Sequence, residues 1–332
     1  MAKNSTDFRA VILAGGSGER FWPLSTAEKP KQFLRVFGGE SLIRQSVTRL
    51  LGLVRVEDVY VVTSKDLVAA TRRELPEIPA ANIVGEPMRR DTGAAVALGV
   101  GLAGGGTIGV FSSDQLVMKP AKFRAAVRKA AALARKGPRI VTLGIKPTFP
   151  ATGFGYVDPV TKRFVEKPGA AQAKAYLRKG YLWNAGMFIA QAETFRRAFA
   201  VHAPELGALC ARPGGVPSPA QLAQTYAKLP RISFDYAVME KFDGVEVVPG
   251  DFGWDDVGSF AAFDTYFPHD RDGNVREGPC TAVESAGNIC VARSARISLL
   301  GVKNLVVVTT PDAVLVADKS KIGEMKKLFR KG

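Results

Sequence analysis

The chain has 332 residues, a length that accommodates about two domains and a core able to fold without disulfides or metals. With 46% hydrophobic and 23% charged residues it is neither largely disordered nor low-complexity. A net charge of +15 favours an anionic partner, either nucleic acid, a membrane surface or phosphorylated small molecules, without choosing among them. The basic residues are scattered, in pairs no longer than Arg72-Arg73, Arg89-Arg90 and Lys326-Lys327, as on a solvated surface.

Up to Ile145, short apolar runs alternate with longer helical patterns. Strands are expected at Ala10–Ala14, Val56–Thr63, Ala81–Val84, Thr107–Phe111 and Arg139–Ile145. Helices are expected at Leu42–Leu51, Leu67–Leu75, Thr92–Ala103 and Lys122–Ala134. This alternation predicts an α/β fold, a Rossmann-like doubly wound and mostly parallel sheet. Ligands in such sheets bind beyond the carboxyl ends of the strands.

After Pro147 the pattern loosens. Short strands are expected at Tyr156–Asp158, Lys162–Val165, Met187–Ala190 and Val245–Pro249, and helices at Ala170–Arg178, Ala192–Val201 and Phe234–Lys241. Arg212–Ala220 is rich in Pro and Gly and reads as a surface loop. Beyond Phe267 come a turn-rich stretch at His269–Gly278, β-branched runs at Ile289–Ala292, Leu305–Thr309 and Ala313–Ala317, and a basic helix at Lys319–Arg330. The expected organisation is one α/β domain over 8–266 and a small β-rich C-terminal appendage over 267–330. No internal repeat of fixed period is visible.

Cys210, Cys280 and Cys290 follow no metal-ligand spacing, and reduced buried thiols are expected. Met1–Arg9 lacks the apolar stretch of a signal peptide, and no apolar run approaches membrane-spanning length. A cytoplasmic protein without a membrane span is therefore expected. His202 and His269 lie in polar, loop-like stretches without a metal-ligating partner and are expected at the surface.

The strongest local signal follows the first strand: Gly15-Gly16-Ser17-Gly18-Glu19-Arg20-Phe21-Trp22-Pro23-Leu24, then Pro30-Lys31. Consecutive glycines let backbone N–H groups approach a phosphate. Arg20 offers a planar fork to phosphate oxygens and Lys31 a mobile point charge. Together they can neutralise charge developing on a leaving pyrophosphate. The dinucleotide fingerprint fails because Phe21 stands at its third glycine, and no P-loop string occurs.

Eight positions of this loop, Gly15, Gly16, Gly18, Arg20, Pro23, Leu24, Pro30 and Lys31, resemble the signature of sugar-1-phosphate nucleotidylyltransferases. Chance agreement at ordinary residue usage is on the order of 10⁻⁸ per start point. Further strings resemble the mannose-1-phosphate guanylyltransferase branch: Pro30-Lys31-Gln32-Phe33, Gly85-Glu86-Pro87, Arg90-Asp91-Thr92, Gly144-Ile145-Lys146-Pro147 and Thr152-Gly153-Phe154-Gly155-Tyr156. The series continues through Phe164-Val165-Glu166-Lys167-Pro168, Trp183-Asn184-Ala185-Gly186-Met187-Phe188, Phe234-Asp235-Tyr236-Ala237-Val238-Met239-Glu240-Lys241 and Trp254-Asp255-Asp256-Val257-Gly258-Ser259. It covers roughly residues 8 to 330. Two departures stand out: Asp91 where that family usually has Asn, and Gln115 where it usually has His after Asp114. Larger bifunctional members carry a cupin-like isomerase domain after this point, which this length does not accommodate.

The resemblance implies a nucleotide-diphospho-sugar transferase fold. It also implies GMP transfer from GTP to mannose-1-phosphate, giving GDP-mannose and pyrophosphate. Such a transfer needs two anions brought together and their charge neutralised, with no protein nucleophile. Mg²⁺ bridging the phosphates needs one or two carboxylates; Asp114, after the strand at Thr107–Phe111, and Asp256 are the candidates, with turn and helix-cap roles as alternatives. Asp255 occupies a variable position and is expected to be solvated. Arg20 and Lys31 are the candidate catalytic groups, and Gly15, Gly16 and Gly18 the candidate phosphate cradle.

Glu86 can accept hydrogen bonds from the guanine edge, and Arg90 can bind the triphosphate. Lys167 would contact the sugar phosphate, Glu166 and Asn184 would bond sugar hydroxyls, and Gly155 would let the backbone approach the sugar. The implied partners are GTP, mannose-1-phosphate and GDP-mannose, with the tail as a dimer contact by resemblance. The same chemistry with GDP-heptose, UDP-sugar or dTDP-sugar products stays open, as does a non-catalytic regulatory homologue. A nucleic-acid binder would need clustered basic and aromatic residues, and none are present.

Overall fold

The structure, a computed structural model, describes residues 7–16, 18–211 and 218–329. Ser17, residues 212–217 of the expected surface loop, and Arg330 at the end of the expected C-terminal helix lie outside them. In chain order the strands are β1 (Phe8–Ala14), β2 (Val59–Ser64), β3 (Ile83–Glu86), β4 (Thr107–Ser112), β5 (Leu116–Val117), β6 (Ile140–Ile145), β7 (Tyr156–Val157), β8 (Phe164–Val165), β9 (Leu182–Gln191), β10 (Val245–Gly250) and β11 (Trp254–Asp255). The helices are α1 (Leu42–Thr48), α2 (Val68–Glu74), α3 (Asp91–Ala103), α4 (Pro120–Ala134), α5 (Ala170–Arg178), α6 (Ala192–His202), α7 (Pro204–Cys210), α8 (Pro219–Lys228) and α9 (Ala261–Tyr266). The tail adds β12 (Val275–Glu277), β13 (Cys280–Val283), β14 (Ile289–Ala292), β15 (Ile297–Leu300), β16 (Leu305–Thr309) and β17 (Val314–Asp318).

The described chain forms two compact units. Of the described residues, the first unit draws on those within 7–15, 43–113 and 117–254, the second on those within 16–42, 114–116 and 255–329.

The first unit is built on a mostly parallel sheet of order β10-β6-β9-β4-β1-β2-β3. β1 pairs in parallel with β2 and β4, β2 with β3, and β6 with β10. The ten-residue β9 runs antiparallel between β4 and β6. Strands buried on both faces explain the near-continuous apolar runs that made these segments legible. The strand order reverses around β1 and β4, which is where an open α/β sheet admits ligands.

α3 packs on β1 and β2, and α4 on β6, β9 and β10. Residues Gly93 to Ala103 of α3 are all buried, as its sequence without a polar face demands. Its glycines allow close packing. A Cβ on Gly99 would stand 2.3 Å from Val11 Cγ1, and one on Gly101 would stand 2.4 Å from the Leu209 carbonyl oxygen of α7.

The second unit coils its tail into a small β-helix. β12, β14 and β16 stack in parallel on one face, β13 and β15 on another, and β17 closes antiparallel on β16. Strand alternation splits each rung between two clusters. Ile289, Val291, Val306 and Val308 pack with Phe21, Leu34, Phe37, Phe260 and Phe263, while Cys290, Ala292 and Val307 pack with Ile297 and Leu299. At one corner the buried Asn288 donates through Nδ2 to Asn274 Oδ1 at 2.9 Å and accepts from Leu305 N–H at 2.9 Å. Buried amides paired this way satisfy the backbone where the chain turns between rungs.

Several expectations change. α7 and α8 are helices that the sequence reading did not anticipate. α8 opens with Ser218 and Gln221 in a reciprocal capping box with Pro219 in its first turn, a start signal lost in the Pro/Gly-rich stretch before it. Phe234–Lys241 contains a π-helical turn at Asp235–Met239. The C-terminal helix is 3₁₀ in type, over Lys319–Phe329. β12, β13 and β15 were not anticipated. His202 ends α6 rather than lying in a loop, with its ring edge-on to Phe242 at 6.2 Å. All three cysteines are free thiols; Cys210 and Cys290 are buried and Cys280 is half-buried.

Gly101→Ala tests the close packing. In an open helix this change gains up to about 1 kcal/mol, but against the Leu209 carbonyl it should lose about 1–3 kcal/mol. Gly207→Ala in α7, whose nearest neighbours would stand at 3.7 Å, should be neutral or stabilising. Thermal melts of both variants check the contrast, and equal effects would contradict it.

Candidate active site

In the second unit the chain after Gly16 turns through Gly18, whose φ is +64°. A Cβ there would stand 2.4 Å from the backbone nitrogen of Lys31, so glycine serves both the left-handed conformation and the close approach. The Ser25 hydroxyl donates to the Gly18 carbonyl at 2.6 Å and ties the loop. Lys31 is 6% exposed. Its ammonium donates to Asp114 Oδ2 at 3.0 Å and to the Asp256 carbonyl at 2.5 Å. A buried ammonium requires such partners, and with three donors it retains one for an incoming oxygen.

Gly258 joins Arg20 to this cluster. A Cβ on Gly258 would lie 3.1 Å from Arg20 Nη1 and 3.2 Å from Asp256 Oδ2. Burial pushes the Asp256 carboxyl up from its ordinary range; Lys31 and Arg20 oppose the shift and the Asp114 charge adds to it. Two neighbouring carboxylates are the oxygen donors that a hard divalent cation takes. Among the described residues no three acidic, His or Cys side chains group to hold an ion alone. Asp255 is engaged rather than solvated: it accepts from Val257 N–H at 2.6 Å and from the Tyr266 hydroxyl at 2.8 Å. Asp256 caps no helix, since α9 begins at Ala261 with Phe260 before it.

The first unit carries two further clusters. Glu86 ends β3 and is 8% exposed. Its Oε1 accepts from the Tyr226 hydroxyl at 3.1 Å, and its Oε2 would lie 3.4 Å from a Cβ on Gly15. Burial pushes this carboxyl up to about 7, against the Tyr226 bond and with help from Asp91. Arg90 does not sit free for a phosphate. Its Nε donates to the Tyr226 carbonyl at 2.8 Å and its Nη2 to the Ala227 carbonyl at 2.9 Å. Asp91 has φ +64° and accepts from Thr92 N–H at 2.8 Å. Asn and Asp are the side chains that best tolerate this conformation, so one replaces the other here without strain.

The second cluster joins Gly155, Glu166, Lys167 and Asn184. A Cβ on Gly155 would stand 2.6 Å from Glu166 Oε2. Lys167 Nζ pairs with Glu166 Oε1 at 2.8 Å, and Glu166 N–H donates to Glu240 Oε1 at 2.8 Å. Asn184 is held from both ends. Its Oδ1 accepts from Thr142 Oγ1 at 2.7 Å and Gly186 N–H at 3.0 Å, and its Nδ2 donates to Asp235 Oδ1 at 3.0 Å. Burial, Glu240 and Asp91 raise the Glu166 carboxyl against the opposing Lys167. Burial and Glu166 raise Asp235 likewise. Burial disfavours the Lys167 ammonium, yet the Glu166 bond and charge hold it above its usual value. Thr142, Asp235, Glu240 and Tyr226 bond the expected site residues and were left unassigned by the sequence reading, although Asp235 and Glu240 stand in one of the motifs quoted.

A mostly parallel sheet whose first strand leads into a glycine-rich loop has the layout of a nucleotide-binding α/β protein. The chain belongs to the nucleotidyl transferase family, whose model matches residues 9–273. Residues 278–331 match the mannose-phosphate isomerase/GMP-like β-helix domain. It is 34% identical to mannose-1-phosphate guanylyltransferase ManC of Salmonella typhimurium, over 100% of this chain and 74% of that protein. It is 36% identical to an Escherichia coli mannose-1-phosphate guanylyltransferase, over 96% of this chain and 72% of the relative. A solved structure described as a mannose-1-phosphate geranyltransferase from Thermus thermophilus superposes with TM-score 0.87 at 36% identity, covering 98% of this chain and 99% of that one. Among the described residues no helix is long and apolar enough to cross a membrane.

Glu86 links stability to pH. Its folded pKa lies above the unfolded one, so the folded protein binds the extra proton between about pH 4.5 and 7. Stability should fall as pH rises through that window and level off above it. Glu86→Gln lacks the ionisation, so the melting temperature of the variant should gain on that of wild type by roughly 2–5 °C between pH 5 and pH 8. A constant difference across that range would contradict the burial effect.

Proposed function

We propose that this enzyme transfers GMP from GTP to mannose-1-phosphate, releasing pyrophosphate and forming GDP-mannose. The observation that carries the chemistry is the buried Lys31 ammonium shared by Asp114 and the Asp256 carbonyl. The substrate pair rests on relatives near 35% identity named for that activity.

In this reading the glycine loop and Arg20 cradle the triphosphate. The remaining Lys31 donor and the Arg20 fork stabilise negative charge as the pyrophosphate oxygen departs in line. Asp114 and Asp256 would hold Mg²⁺, which when bound supplies charge neutralisation to the phosphates. Glu86 accepts the N–H donors of the guanine edge. Lys167 binds the sugar phosphate, and Glu166, seated against Gly155, orients sugar hydroxyls together with Asn184. Orientation of the attacking phosphate oxygen supplies much of the rate.

Pyrophosphate release with Mg²⁺ should be confined to GTP with mannose-1-phosphate when GTP, ATP, UTP, dTTP and CTP are crossed with mannose-1-phosphate and glucose-1-phosphate. Release with another nucleotide or sugar would leave the chemistry standing and move the specificity, the alternative that Gln115 keeps in play. Silence across the whole panel with folded protein would overturn the assignment.

Asp256→Asn should lower kcat about 100-fold or more with an unchanged circular dichroism spectrum. Full activity in that variant would exclude Asp256 from the metal site.

A further inference from the structure

The segment that leaves β3 grips α8 at two points. Glu86 takes the hydroxyl of Tyr226 at 3.1 Å. Four residues on, Arg90 takes the main chain of the same residue and its neighbour, at 2.8 and 2.9 Å. Tyr226 has no solvent exposure. The other end of α8 is fixed by its capping box, Ser218 N–H to Gln221 Oε1 at 3.1 Å and Gln221 N–H to Ser218 Oγ at 3.3 Å. The segment itself is tied down where Ile232 N–H donates to the Arg90 carbonyl and Phe234 N–H to Thr92 Oγ1.

A carboxylate on a two-carbon stem is free to rotate unless one oxygen is held. Here Oε1 is held by a phenol that cannot move without moving α8. Oε2 is left facing Gly15, where no side chain intervenes.

We infer that Tyr226 is a positioning residue for base selection. It holds the Glu86 carboxylate in the orientation that accepts hydrogen bonds from the donor edge of guanine, and Arg90 seats the helix that carries it. This rests on Glu86 reading the base. It also moves Arg90 from a phosphate contact to the support of α8.

The experiment is equilibrium binding of GTP and ITP, by calorimetry in Mg²⁺ buffer, to wild type, Tyr226→Phe, Glu86→Gln and the double variant. ITP lacks the 2-amino donor of guanine. Wild type should prefer GTP, and Glu86→Gln should abolish the preference. Tyr226→Phe keeps the buried ring and should reduce the preference by about 3- to 30-fold, mainly through weaker GTP binding. In the Glu86→Gln background it should add less than about twofold, which a general packing defect would not do.

The two charged or titratable groups acting on Glu86 are Tyr226 from α8 and Asp91 from the head of α3. Losing the phenol removes the donor that favours the carboxylate. The loss of GTP affinity on acidification should therefore begin at higher pH in Tyr226→Phe than in wild type. Arg90→Lys, which keeps the charge but loses the fork, should also lower the GTP/ITP ratio; a phosphate contact would weaken both ligands equally.

A Tyr226→Phe variant with unchanged GTP/ITP ratio, beside a Glu86→Gln variant that has lost it, would overturn the inference and leave the Glu86 reading intact. An unchanged ratio in Glu86→Gln would overturn both.

Discussion

A buried ammonium organises the second unit. Lys31 is almost without solvent contact, and an unpaired charge there would be far more costly than folding could offset. Asp114 and the Asp256 carbonyl resolve this by bonding it, and the surrounding geometry follows from keeping them in reach. Gly18 adopts its left-handed conformation with the Lys31 backbone too close for a side chain. Gly258 leaves room for Arg20 and the Asp256 carboxylate on either side. Asp255, a rival acceptor beside them, is turned away by Val257 and Tyr266. The result is a cluster of two cations and two carboxylates.

The first unit solves a different problem, that of burying carboxyl groups. Glu86, Glu166 and Asp235 are all raised above their ordinary range. Each is given a neutral or cationic donor: Tyr226 for Glu86, Lys167 for Glu166, Asn184 for Asp235. Donors held in place by Arg90, Thr142 and Gly186 convert flexible acids into fixed acceptors. That is what recognition of hydroxyl and amide donors requires, because a site built to accept a hydrogen bond penalises a ligand that cannot supply one.

Much of the framework is legible along the chain. Strands β1 to β4 and β6 are short apolar runs because both sheet faces are covered, α3 is an apolar run too long for a strand, and α4 carries helical spacing over about four turns. The glycine loop, Lys31, Asp114 and Asp256 stand in ordered motifs. Other elements left weaker marks. β9 was visible only in part because its first half mixes Trp, Asn and Gly. β13 and β15 are half-exposed four-residue strands, too short for periodicity to register. α8 carried a capping box that the preceding prolines and glycines obscured. The tail turns recur at Gly273-Asn274, Gly287-Asn288 and Lys303-Asn304, spaced 14 and 16 residues apart by sequence number, which no fixed-period search would find.

What the sequence by itself determined is the class of chemistry and the sheet that supports it. Both depend on residue types and local periodicity, which are written in order along the chain. The tertiary structure decided which groups face one another. Arg90, an apparent phosphate ligand by motif, is committed to the carbonyls of a helix more than 130 residues away by sequence number. Tyr226, unremarkable in its own segment, carries the hydroxyl that Glu86 needs. A side chain's partner depends on burial and on long-range approach, and neither is encoded in the few residues around it.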